Sequence, residues 1–383
     1  MSKYTNIRIG YDAKRIVKNN TGLGNYGRTL INSLAASTSD LQLRLYAPDE
    51  GNERLRNEVI KAENVQFVYP ENLHFRFQKD IWRQAGIVKQ LGKDGVNLYH
   101  GLSGELPKGL NASGIKSLVT IHDLIFLRHP EYYTRIDGFL YKRKFVNTCK
   151  EADRIVAISE CTKRDILYYS NFPEDRIDVV YQSCGTRFRT IASNEEKKVV
   201  AQKYNLPKRF LLFVGSIEER KNLLLAVKAL LKLPNDIAIV AVGRRTKYTQ
   251  KVEKFAQENG LTHRLHFLHG ITNQELPAIY QQAECFVYPS RYEGFGIPII
   301  EAIQSGLPVV ACTGSCLEEA GGRENIYVDP DDADSFAAGI TAMLRGSDDR
   351  ARRIEASRIY VKRFENGDIA QTMLAEYDKL LNR

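Results

Sequence analysis

The sequence predicts an α/β protein made of two doubly wound, Rossmann-like domains. Three observations carry that prediction. Short apolar runs of strand length alternate with amphipathic stretches of helical length along nearly the whole chain. A polar stretch after Thr190, TIASNEEKKVV, breaks the alternation once, and the alternation begins afresh at Phe210. The length of 383 residues suits two domains of ~150–200 residues each.

In the first half the strand candidates are IRIGYD from Ile7, LQLRLYA from Leu41, VQFVYP from Val65, VNLYHG from Val96, SLVTIHD from Ser117, RIVAIS from Arg154 and IDVVYQ from Ile177. Amphipathic stretches at residues 25–36, 78–91 and 132–152 separate them. The second half offers FLLFVGS from Phe210, IAIVAVG from Ile237, LHFLHG from Leu265, CFVYPS from Cys285, PVVAC from Pro308 and IYVDP from Ile326. Strands joined through helices form parallel sheets covered on both faces, with right-handed crossovers. The expected domains are 1–190 and 191–363, followed by a helical tail at 364–383. Ligands of such sheets lie outside the C-terminal ends of the strands, so two domains facing each other across a cleft would present those loops to one ligand.

Composition excludes several classes. Hydrophobic residues at 43% and charged residues at 26% are the balance of a globular protein. No apolar run approaches the ~18–20 residues of a spanning helix. The opening MSKYTNIRIGYDA runs directly into a strand, so no signal peptide is expected. Six scattered cysteines form neither a disulfide framework nor a metal set; Cys312 and Cys316 lack completing ligands, and no metal site is expected. A cytoplasmic location follows. The net charge of +9 is concentrated in residues 1–190, which hold 29 Lys and Arg against 21 Asp and Glu. No nucleic-acid-binding motif accompanies this surplus, which leaves an anionic membrane surface or a solvated basic face.

Four motifs carry chemistry. GLGNYG, with Gly22, Gly24 and Gly27, has the G-x-G-x-x-G pattern, and Asp49 follows at a distance suited to a ribose-binding acid. The dinucleotide fingerprint needs those glycines directly after the first strand. Here KRIVKNNT intervenes, so the glycines are expected in a longer loop feeding a helix at Asn25, either facing a phosphate or sugar or forming a structural turn. In VGSIEERKN, Gly215 and Ser216 end a strand, and Arg220 and Lys221 stand at the mouth of the next helix, where two cations suit a diphosphate.

In PSRYEGFGIPIIEA, Glu293 lies on a loop, and Gly294, Phe295, Gly296 and Ile297 lead to a helix with Pro298 at its first position and Glu301 in its first turn. Two carboxylates so placed grip hydroxyls at two points of one extended ligand. In TIHDLIFLRHPEYY, His122 and Asp123 end a strand and become candidate polar ligands, whereas His100 and His129 read as structural. Ser159 reads as a helix N-cap.

These residues resemble the retaining glycosyltransferases of family 4, which have the GT-B fold. The acid-x7-acid signature matches Glu293 and Glu301, the basic pair Arg220 and Lys221, the glycine loop TGLGNYG and the strand-end pair His122 and Asp123; AISECTKRD and CLEEAGG match further segments. The resemblance implies that the tail at 364–383 returns to the first domain, and that Arg220 and Lys221 neutralise a donor diphosphate with the Gly24 N–H on its other side. It implies that Glu301 holds the ribose, that Glu293 and the Gly294–Ile297 backbone hold sugar hydroxyls, that His122 touches the donor sugar, and that the base lies near Ile271 in HGITNQ. Two departures stand out: Ser216 where many members carry Arg, and Cys316-Leu317-Glu318-Glu319 where many read Ser-Leu-Pro-Glu.

The implied activity is transfer of a hexose, with retained configuration and no metal or other cofactor, to a glycan or lipid-linked acceptor in cell-surface polysaccharide or lipopolysaccharide synthesis. The EERKN form of the basic motif resembles the mannosyltransferase branch, which places GDP-mannose first among donors and a UDP-sugar second. The rival readings are a GT-B epimerase or phosphorylase, an NAD-dependent oxidoreductase, and a non-catalytic nucleotide-sugar-binding module. The basic segments FRFQKDIWRQ from Phe75 and YKRK from Tyr141 suit docking on the inner face of an anionic membrane.

Overall fold

The structure is a computed structural model that describes residues 3–71, 73–364 and 369–381. The chain forms two compact units, each with its own parallel sheet. In the first, β1 (Arg8–Asp12), β2 (Gln42–Tyr46), β3 (Val65–Val68), β4 (Leu98–Gly101), β5 (Lys116–Ile121), β6 (Arg154–Ala157) and β7 (Ile177–Val179) lie in the order β3-β2-β1-β4-β5-β6-β7. In the second, β8 (Arg209–Val214), β9 (Ile237–Val242), β10 (Leu265–Leu268), β11 (Cys285–Tyr288), β12 (Val309–Cys312) and β13 (Ile326–Val328) lie in the order β10-β9-β8-β11-β12-β13. Every apolar run proposed as a strand is one. The central strands β8 and β9, RFLLFV and IAIVAV, are buried nearly throughout, as strands covered on both faces must be. The edge strands β3 and β10 carry Gln66 and His266 and are only partly buried.

The boundary differs from the expected one. The first unit ends at Gln182 and the second begins at Ser183, so residues 183–190 belong to the second unit. Tertiary packing overrides the polar composition there. Phe188 is fully buried with its ring centroid 5.5 Å from that of Tyr280, and the Gln281 side chain bonds both Ala192 N and Thr190 O. The expected tail at 364–383 also divides. Phe364 packs edge-on against Phe295 of the second unit at 5.3 Å, while the helix Ile369–Leu381 joins the first unit. Residues 365–368 and 382–383 of that tail lie outside the described residues.

Met373, Leu374 and Tyr377 of the C-terminal helix enter one core with Leu30, Ile31 and Leu34 of the helix Gly22–Ser37. Tyr377 Oη lies 2.9 Å from His100 Nδ1, and His100 Nε2 lies 2.9 Å from Thr120 Oγ1. Burial pushes the His100 imidazole down to about 3, which keeps it neutral, so His100 is structural as its sequence context indicated. Ser159 accepts from Thr162 N at 3.0 Å and caps the helix Glu160–Tyr169. No described helix is long and apolar enough to cross a membrane.

The glycine segment departs from its expected form. The helix starts at Gly22 instead of Asn25, so Gly22, Gly24 and Gly27 are helical. A Cβ on Gly24 would lie 1.8 Å from Asn19 O, which accounts for a glycine at this close approach. The Gly24 N–H already donates to Asn19 Oδ1 at 3.3 Å.

Candidate functional site at the sheet switch points

In a doubly wound sheet the strand order reverses at one place, where the loops of two neighbouring strands diverge and leave a crevice. In the second unit that place is β8 beside β11. The loop after β8 carries Gly215, Ser216 and a tight turn at Glu219–Lys221. The loop after β11 carries Ser290 and Glu293. Arg291 N donates to Arg220 O at 2.8 Å and ties the two loops together.

Three charged side chains meet there. Lys221 Nζ lies 2.7 Å from Glu293 Oε1, and an Arg220 guanidinium nitrogen lies 2.8 Å from Glu293 Oε2. Tyr288 and Ser290 hydroxyls donate to Glu293 Oε1 at 3.1 and 2.9 Å. Lys221 also donates to Tyr288 Oη at 2.8 Å. Burial by itself would raise the Glu293 carboxyl, but Arg220 and Lys221 hold it at about 2. Burial would lower both cations, and Glu293 instead holds them above their ordinary values. The group therefore stays fully ionised, with two cations for one carboxylate.

Gly215 explains how Lys221 gets there. Its φ is +149°, which favours glycine, and a Cβ there would fall 3.1 Å from Lys221 Cδ and press on the lysine stem. Ser216 is partly buried and follows directly.

The helix Ile297–Gln304 opens at Gly296 with φ +120°. Pro298 occupies its second position, one later than expected, and Glu301 accordingly falls past the first turn. Tyr280 Oη donates to Glu301 Oε2 at 3.0 Å, and burial pushes the Glu301 carboxyl up to about 7 despite that bond. The Cys316 thiol donates to Phe295 O at 2.7 Å and to Glu293 O at 3.1 Å. The departure at Cys316 thus anchors the glutamate loop from behind. Ile271 stands in the loop after the edge strand β10, partly buried.

In the first unit the strand order reverses at β1 and β4. Asp12 ends β1, Glu105 follows β4, and His122 follows β5. Arg83 Nε bonds Asp12 at 3.1 Å, an Arg83 guanidinium nitrogen bonds Glu105 at 2.6 Å, and Lys144 bonds Glu105 at 2.9 Å. His122 Nε2 donates to Leu102 O at 2.9 Å and Nδ1 accepts from the Gln182 amide at 3.1 Å; its ring meets that of Tyr26 edge-on at 4.8 Å. Burial lowers His122 to about 4, so it is a neutral group in fixed orientation. His122 and Glu105 line a cavity of about 210 Å³, and Glu105 and Lys144 line a second of about 350 Å³.

Among the site residues expected from the sequence, the structure brings Arg220, Lys221 and Glu293 into direct contact. Gly215, Ser216, Gly294, Phe295 and Gly296 lie on the loops bearing them, with Ile297 and Glu301 on the adjoining helix. His122, Gly22 and Gly24 belong to the first unit. Sequence reasoning missed Tyr288, Ser290, Tyr280 and Cys316. Tyr288 ends a strand and was within reach of the strand-end rule. Tyr280 carries no such signal, because only the fold brings it to Glu301.

Comparison with known proteins identifies the family. Residues 20–183 match the model of Glycosyltransferase Family 4, and residues 194–360 that of Glycosyl transferases group 1. The chain is 28% identical to the O-antigen chain mannosyltransferase B of Escherichia coli, over 88% of this chain and 90% of that one. It is 27% identical to the O-antigen chain mannosyltransferase RfbU of Salmonella typhimurium, over 58% of this chain and 59% of that one. The fold matches the crystal structure of HepE from Anabaena, solved in complex with UDP and glucose, with a TM-score of 0.76 at 17% identity over 98% of this chain and all of the other. Two parallel sheets with a basic pair and two glutamates at the second switch point, together with family matches over both halves, place the chain in glycosyltransferase family 4, as a hexosyltransferase of GT-B fold.

Proposed function

We propose that the chain transfers mannose, with retention, from GDP-mannose to a glycan acceptor in the synthesis of a surface polysaccharide, with a UDP-sugar as the second choice of donor. The observation that carries this reading is the Arg220–Lys221–Glu293 cluster at the β8/β11 crevice. Breaking a sugar–phosphate bond leaves an oxocarbenium-like centre and an anionic diphosphate, and fixed cations in a largely buried site stabilise that departing charge without reorganising. Arg220 and Lys221 are such cations. When a diphosphate joins them, Glu293 is freed toward sugar hydroxyls, and Glu301 offers its carboxyl to the ribose. The contact of His122 with the donor sugar belongs to the same proposal. So does same-face attack, in which the acceptor proton passes to the departing phosphate oxygen. The E. coli and Salmonella likenesses support mannose, and the UDP complex of the Anabaena protein supports a nucleotide-sugar donor.

A hydrolysis and transfer screen over GDP- and UDP-sugars tests the donor, with chelator present, since the proposal needs no divalent ion. Arg220→Ala and Lys221→Ala should each lower turnover by ~10²–10³, the usual effect of removing one preorganised charge donor. Near-normal rates in both variants would overturn the phosphate assignment. Release of free nucleotide together with an epimerised free sugar, where hydrolysis would return the parent sugar, would favour an epimerase.

Docking on an anionic membrane belongs to the same proposal. Phe75, Phe77 and Ile81 are 62, 62 and 61% exposed, and Arg76 and Lys79 interleave them on the helix Arg76–Ile81. Apolar side chains beside cations suit the headgroup boundary of a bilayer. Liposome sedimentation should depend on anionic lipid and weaken in Phe75→Ser/Phe77→Ser. Sedimentation indifferent to lipid charge would remove this part of the proposal.

A further inference from the structure

The two cavities of the first unit share a wall, Glu105 and Lys144, yet differ in character. The smaller, about 210 Å³, is lined by four aromatic side chains, Phe126, Tyr133, Tyr141 and Phe145, with the centroid of Phe126 5.6 Å from that of Tyr141 and 6.4 Å from that of Tyr133. Its charges balance, Arg15 and Lys144 against Glu105 and Asp123. Aromatic faces beside balanced polar groups suit a neutral ring that is apolar on its faces and hydroxylated at its rim, which describes a pyranose.

The larger cavity, about 350 Å³, has no aromatic wall. Lys108, Arg143 and Lys144 line it against the single carboxylate of Glu105. Glu105 is already engaged by Arg83, and Arg83 by Asp12. Among the described residues neither Lys108 nor Arg143 pairs with a carboxylate. The cavity therefore holds positive charge in excess, which a neutral sugar does not answer and an anion does. Leu140 at its rim is 45% exposed, leaving an apolar edge beside the cations.

We infer that these joined cavities form the acceptor site for a phosphorylated sugar, with the pyranose in the aromatic cavity and the phosphate attached to it in the basic one. The assignment rests on the glycosyl-transfer reading above. The phosphate has two possible sources: a free sugar 1-phosphate, or the diester linking a sugar to an apolar carrier.

The test is calorimetric binding to the full chain with the nucleoside diphosphate saturating, so that Arg220 and Lys221 are occupied; the nucleotide titration itself checks the glycosyl-transfer reading separately. The probes are methyl mannoside, a methyl dimannoside, mannose 1-phosphate and its octyl diester. Mannose 1-phosphate or the diester should bind at least tenfold tighter than methyl mannoside, with the diester the tighter of the two if the source is a carrier lipid and the monoester if it is a free sugar phosphate. Lys108→Gln/Arg143→Gln, at two exposed positions, should abolish that preference while leaving methyl mannoside and nucleotide binding unchanged. Tyr133→Ala should weaken all four probes. Equal binding of the phosphorylated and neutral probes, a preference that survives the double substitution, or the dimannoside binding tightest would each overturn the inference.

Discussion

Replacing Glu293 by Gln keeps the shape of the glutamate loop but removes the one carboxylate shared by Arg220 and Lys221. The pairing holds the carboxyl at about 2 against an ordinary 4.5, which corresponds to about 3 kcal/mol at ~1.4 kcal/mol per tenfold change. That agrees with the ~3–5 kcal/mol lost when a buried ion pair is broken from one side. Because the folded value is depressed, this stabilisation is present above pH 4.5 and is lost as pH falls through about 2. At neutral pH the variant should therefore show the full loss, a drop of roughly 6–12 °C in the transition of a unit of this size. A nucleoside diphosphate brings an anion to the same two cations, so it should raise the melting temperature of Glu293→Gln by more than that of the parent. Differential scanning calorimetry at pH 7.5, with and without nucleotide, reads both effects. An unchanged melting temperature, or an equal nucleotide gain in the two proteins, would refute the reasoning.

Further outcomes follow from the same contacts. The Glu301 carboxyl, raised to about 7 by burial, makes the folded protein less stable as pH rises from 4.5 through 7; Glu301→Gln should flatten that slope and weaken nucleotide affinity most at pH 8, by titration calorimetry. Cys316→Ala removes the thiol bonds to Glu293 O and Phe295 O, and should cost about 1 kcal/mol by urea unfolding and raise the donor KM. His100, lowered by burial to about 3, makes the first unit lose stability as pH falls below 6.5; Tyr377→Phe removes a direct partner of that ring and should cost about 1 kcal/mol at neutral pH, by thermal unfolding.

The sheets were legible because a strand buried on both faces must be apolar along its length, and runs such as IAIVAV and FLLFV are too short for a spanning helix and fit the centre of a covered sheet. The basic pair and Glu293 were legible for a related reason, since charged residues in the loop that follows such a strand stand near the crevice, and Glu301 was legible from its spacing to Glu293. Residues 22–27 show where this reasoning fails. Glycines look the same whether a ligand or a backbone carbonyl comes close, and only the position of Asn19 O distinguishes the two.

By itself the sequence determined which segments are strands, that they alternate with helices in two series, and which charged side chains stand at the mouths of β8 and β11. Those properties are local, set by apolar periodicity and by distance along the chain from a strand end. Tertiary structure decided the rest. It drew residues 183–190 into the second unit through Phe188 and placed the C-terminal helix against His100. It also joined Glu293 to Tyr288 and Ser290, and Glu105 to both Arg83 and Lys144. The pKa of a buried carboxyl depends on what surrounds it in space: Glu293 lies near 2 beside two cations and Glu301 near 7 beside a tyrosine, though the two stand on one short stretch of chain.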